Sequence, residues 1–129
     1  MTDKQRKELL RSQQGELDAV LMYNALAKAV KREPDSATFK QLAKEEGRHA
    51  QVFHQYTQTA LQPKTLKSRL LPMLYRLLGR RLLYPLIAKG EYKAEKGYQH
   101  LIADFADVAS VAADEKRHGD TVMSLLNEQ

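Results

Sequence analysis

Apolar side chains recur at intervals of three and four along most of this chain, the spacing that puts them on one face of an α-helix. Leu9, Val20, Leu26, Ala27 and Val30 predict a first long helix over residues 3–32, which Pro34 stops. Asp35 or Ser36 is the expected N-cap of a second helix over 36–60, with Phe39, Leu42, Glu46, His49, Phe53, Tyr56 and Ala60 along one stripe. Residues 61–80 break this rhythm, since Pro63, Pro72 and Gly79 punctuate a stretch rich in leucine and arginine with a helical pattern over 66–78. A connection of that length suits a crossover along a bundle better than a tight turn. A third core helix is expected over 81–103, bent near Pro85, with Tyr84, Ile87, Glu91, Tyr98 and Leu101 on one face. Asp104 and Asp107 suggest the start of a fourth, over 104–127, carrying Val108, Val111, Glu115, His118, Val122 and Leu125. No segment alternates with period two for long enough to argue for a strand. The expected architecture is all-α: a four-helix bundle with a long crossover between helices 2 and 3, in one domain over 1–129.

Four of the positions that this pattern reserves for apolar side chains hold glutamate: Glu16, Glu46, Glu91 and Glu115. They also form an internal repeat. Tyr23 follows Glu16 by seven and Tyr98 follows Glu91 by seven, while His49 follows Glu46 by three and His118 follows Glu115 by three. An ionised carboxylate in a bundle core costs several kcal/mol, so it must protonate, pair or bind a cation. A spacing of three puts Glu and His on adjoining turns of one face, within reach of the same ion. Two divalent cations would balance four carboxylates, with two neutral imidazoles completing the donor set. In the expected arrangement Glu46 and Glu115 bridge the ions, His49 and His118 each cap one, and Glu16 and Glu91 are terminal ligands. Tyr23 and Tyr98 would close the pocket and donate hydrogen bonds to the carboxylates.

A single E-x-x-H is usually a solvated pattern with no metal. Here two of the four histidines have Glu at minus three, roughly a 3% coincidence on composition. His54 and His100 lack the pattern and read as ordinary polar residues. Glu45 and Asp114, each about 100° round the helix from a proposed ligand, are expected to be solvated. Tyr56, Tyr75, Tyr84 and Tyr92 read as core or interface aromatics.

Composition narrows the chemistry further. The 129 residues include no cysteine, which excludes disulfides and thiolate metal sites in this sequence and fits a reducing, cytoplasmic compartment. The charged N-terminus lacks the apolar stretch of a signal peptide. Residues 64–96 carry nine Lys or Arg against two Glu, whereas 97–129 carry two against six acids, so the net charge of +5 is unevenly spread. The cations alternate with leucines and not with stacking aromatics, which argues against nucleic acid. Two readings fit the basic segment 64–89: a crossover helix packed on the bundle or on a second subunit, which is preferred and favours a homodimer, and a basic amphipathic helix in peripheral contact with anionic lipid.

The segments QQGELDAVLMYNALAKAV, LAKEEGRHAQVF, KGEYKAEKGYQHLI and ADEKRHGDTVMSLL resemble, in order, the four helices of rubrerythrin-type, ferritin-like di-iron carboxylate proteins. The resemblance spans nearly the whole chain. It implies a ferritin-like bundle holding two iron ions that react with oxygen or hydrogen peroxide, although manganese accepts the same ligand types. Rubrerythrins proper carry a cysteine-ligated rubredoxin domain, so electrons here would come from an external donor. Peroxide-reducing members use an additional carboxylate on the third helix, and Glu95 is the nearby candidate for an extra ligand. The leading expectation is oxidation of Fe(II) by oxygen or peroxide. The alternatives are a non-catalytic iron-delivery module and a quinone-type hydroxylase working at a membrane surface, the latter suggested by LKSRLLPMLYRLLGRRLLYPLIAKGE, which is similar to ferritin-like domains attached to membrane metal transporters.

Overall fold

The computed structural model describes residues 1–127 and is helical throughout, with no strand among them. Five α-helices follow one another: α1 (Asp3–Ala29), α2 (Asp35–Thr57), α3 (Leu66–Leu78), α4 (Arg80–Tyr98) and α5 (Val108–Ser124). They fall into two compact units, Met1–Met73 and the chain from Leu74 onward, each built around one helical hairpin.

In the first unit, α1 opens on a reciprocal capping box. The Thr2 hydroxyl accepts from the Gln5 N–H at 3.0 Å, and the Gln5 side chain accepts from the Thr2 N–H at 2.9 Å, satisfying two backbone donors that would otherwise be left over. At the other end Ser36 does not cap α2 as expected. Pro34 takes the N-cap position without a side-chain bond, and the Ser36 hydroxyl donates to Ala27 O at 2.6 Å, satisfying a terminal carbonyl of α1. Asp35 occupies the first turn of α2, fully buried, where the helix dipole favours a negative charge; Arg32 lies 3.6 Å away.

Helix α2 ends at Thr57, three residues before the periodicity suggested, because its last turn is tied down by α1. Gln58 turns the chain in a left-handed conformation with φ 52°. The Thr57 hydroxyl donates to Gln13 Oε1 at 2.5 Å, Gln13 Nε2 donates to Thr59 O at 2.8 Å, and Arg6 reaches Thr57 O at 3.0 Å. The chain beyond is pinned along α1 by Gln14, which donates to Gln62 O, and by Asp18, which accepts from the Lys64 N–H. Gln13 and Thr57 are both buried, so Gln13→Ala strands a hydroxyl and a carbonyl. Loss of about 1–3 kcal/mol of stability is expected, read from the midpoint of chemical unfolding.

In the second unit Gly79 separates α3 from α4 at φ 73°, a left-handed value that only glycine adopts freely. Both α3 and α4 run through an internal proline, Pro72 and Pro85. Arg80 donates to Leu125 O at 2.8 Å, joining the start of α4 to the end of α5. Helix α4 finishes in a 3-10 turn over Gln99–Leu101, and α5 begins at Val108, four residues later than expected. The delay has a packing cause. Leu101, Phe105 and Val108 are all buried, and the turn that brings them inward is held by bonds from Phe105 N to Leu101 O and from Val108 N to Phe105 O.

Candidate metal centre

Each hairpin assembles its own cluster of two carboxylates and one imidazole. In the first, Glu16 comes from α1, and Glu46 and His49 from adjoining turns of α2. His49 Nδ1 lies 3.0 Å from Glu46 Oε1 and 3.6 Å from Glu16 Oε2. In the second, Glu91 comes from α4, and Glu115 and His118 from α5. His118 Nδ1 lies 3.3 Å from Glu115 Oε1 and 3.7 Å from Glu91 Oε2. All six side chains are buried. Within each triad the atoms able to bind a metal lie within 4.8 Å of one another.

That geometry suits a cation on three grounds. Two carboxylates held this close without water repel one another, and a divalent ion removes the repulsion by cancelling both charges. Nδ1 is the ring nitrogen aimed at the carboxylates in both triads, so the neutral imidazole can direct a lone pair at the same point they face. The donors are oxygen and nitrogen only, a set that accepts iron or manganese. Two triads of one charge type therefore fit two divalent ions.

The remaining candidates distribute unevenly. Tyr23 is fully buried and stacks on Phe39 with ring centroids 5.9 Å apart, fixing α1 against α2 two turns beyond Glu16. Tyr98 is half-buried at the last residue of α4. Glu95 belongs to neither triad. Its Oε2 accepts from Gln99 Nε2 at 2.7 Å, and it lines an open groove of about 230 Å³ that also includes Lys116. Neither His54 nor His100 falls in a ligand-forming group among the described residues.

Glu45 corrects an expectation: it is buried, not solvated, and accepts from Gln41 Nε2 at 3.0 Å. Although about 100° from Glu46, it is one turn before His49 and only about 40° away from it round the helix, so it borders the inward stripe from the other side. The spacing of four to His49 was the available signal. Asp114, in the matching position of the second hairpin, is half-buried and paired with Arg117 at 3.2 Å.

Tyr92, Gly119 and Asp120 form a further contact between α4 and α5 beside the second triad in sequence, and nothing in the motif spacing marked it. The Tyr92 hydroxyl, one residue past Glu91, donates to Asp120 at 2.5 Å, linking α4 to α5. This bond is the main cause holding the Asp120 carboxyl below its ordinary value, with help from Lys116, and it also pushes the Tyr92 phenol up. The ring can lie there because the facing residue is Gly119, beside His118; a Cβ at that position would meet Tyr92 ring carbons at 2.5–2.9 Å. Gly119→Ala must therefore move the aromatic ring. A loss of about 1–3 kcal/mol is expected from thermal unfolding, together with a downward return of the tyrosinate titration, read by absorbance as pH rises.

A family model described as Rubrerythrin matches residues 7–126, nearly the full length. No curated protein and no solved structure matches the chain.

Proposed function

The chain belongs to the rubrerythrin family, whose members are ferritin-like di-iron carboxylate proteins, and from that premise we propose that it oxidises Fe(II) with oxygen or hydrogen peroxide as acceptor. The single observation that carries this reading is the pairing of two equivalent buried triads, each with the charge and donor types for one ion. When bound, two ferrous ions supply the electrons that reduce the acceptor.

The chain's own groups do the rest. Glu46 and Glu115, each three residues before its histidine, would serve as the shared ligands, and Glu16 and Glu91, on the opposite helix of each hairpin, as the terminal ones. His49 and His118 would donate through Nδ1, the ring nitrogen that faces the carboxylates. Burial keeps water away from these donors and strengthens every charge interaction among them. Tyr23, stacked on Phe39, and Tyr98, at the end of α4, lie two turns beyond Glu16 and Glu91 and would close the pocket and donate hydrogen bonds to carboxylates. Electrons for repeated turnover would come from a donor outside these 129 residues, which have no cysteine to hold a rubredoxin-type iron.

Anaerobic titration with Fe(II), followed optically, is expected to saturate at about two ions per chain. Adding hydrogen peroxide or oxygen with a reductant should then give repeated turnover. Two ions bound without turnover would make the protein an iron-holding module and overturn the enzymatic reading. His49→Ala or His118→Ala should each lower the stoichiometry toward one.

A further inference from the structure

Among the described residues, α3 contributes no buried side chain, although it is rich in leucine. Leu66, Leu70, Met73 and Leu77 recur at i, i+4, i+7 and i+11, inside an arc of about 60° on the helix. They are 74%, 39%, 50% and 73% exposed, so this arc faces outward, while Leu71, Leu74 and Tyr75 on the other side are half-buried. The exposed stripe is bordered by cations on both edges, Arg69 and Arg76 on one and Lys67 on the other, all exposed. No Asp or Glu occurs between Glu46 and Glu91. Leu82 and Leu86 on α4 are also exposed, with Arg81 and Lys89 near them in sequence.

We propose that α3 lies flat on an anionic lipid bilayer, with the Leu66/Leu70/Met73/Leu77 stripe in the acyl boundary and the flanking cations against lipid phosphates. Three observations favour that occupant. A second copy of the chain docking stripe to stripe would bring arginines and lysine against their own counterparts with no local acid to neutralise them, whereas an anionic headgroup layer supplies the missing charge. Lys67, Arg69 and Arg76 have long aliphatic stems that let their charged ends reach headgroups while the leucines sit deeper. No described helix is long and apolar enough to cross a membrane, so contact is at the surface.

The full chain is tested by sedimentation with vesicles of phosphatidylcholine alone or mixed with phosphatidylglycerol. Binding to the mixed vesicles is expected to be at least about tenfold tighter than to phosphatidylcholine alone and to be largely lost at high salt. Arg69→Gln with Arg76→Gln should weaken it by about 25-fold, roughly fivefold per cation. Leu70→Glu with Leu77→Glu should abolish it, and circular dichroism should stay unchanged because both positions are exposed. Absence of binding to phosphatidylglycerol vesicles, or equal binding to both vesicle types, overturns the proposal. So does a self-association in sedimentation velocity that the two glutamates abolish while vesicle binding persists, since the stripe would then serve a second copy.

Discussion

Replacing Glu46 and Glu115 together with leucine is expected to abolish metal uptake and, at the same time, to raise the melting temperature of the metal-free protein. The two effects share a cause. Each triad without metal crowds two buried carboxyl groups against one imidazole. Leucine at position 46 removes a carboxylate and leaves Glu16 with His49, whose Nδ1 is already 3.6 Å from it; leucine at 115 leaves Glu91 with His118 at 3.7 Å. One carboxyl group beside one imidazole, together with a filled volume, replaces two crowded carboxyl groups. Gains of about 1–3 kcal/mol are the usual order when buried charge gives way to packed hydrocarbon. Two donors per triad cannot hold an ion firmly, and metal content after anaerobic reconstitution should fall from about two to near zero. Retention of both ions, or a drop in the melting temperature of the metal-free variant, would remove Glu46 and Glu115 from the ligand set.

Saturating Fe(II) under anaerobic conditions is the complementary experiment. An ion that binds only the folded chain stabilises it by about 2.7 kcal/mol at a hundredfold excess over its Kd. Two independent ions give roughly twice that, comparable to the whole stability of many small domains. The expected result is a large upward shift in melting temperature, reversed by a chelator and absent from the leucine variant. A shift of equal size in that variant would trace the effect to metal bound elsewhere on the surface.

Periodicity made most of the helical framework readable before any coordinates. The range of α3 is bounded in the sequence by Pro63 on one side and Gly79 on the other, and the six ligand candidates were visible because carboxylates stood where the pattern called for hydrocarbon. Boundaries failed where a side chain served a different helix from the one it seemed to begin. Ser36 has the composition of an N-cap, yet its hydroxyl closes α1; Asp104 has the same look, but burying Phe105 requires the chain to turn before α5 can start. The burial of Glu45 depends on the breadth of the buried arc, and the close approach of Tyr92 to α5 depends on Gly119 lacking a side chain; neither is encoded by spacing along one helix. The outward leucines of α3 show the converse: the amphipathic pattern was legible, but not that Leu66, Leu70, Met73 and Leu77 would lie outside the core of this chain.

Each triad is drawn from a single hairpin, α1 with α2 or α4 with α5. Glu16, Glu46 and His49 have all been synthesised by the time the chain reaches the end of α2 at Thr57. The three donors of that half therefore lie within one contiguous stretch of sequence, and the three of the other half, Glu91, Glu115 and His118, within another.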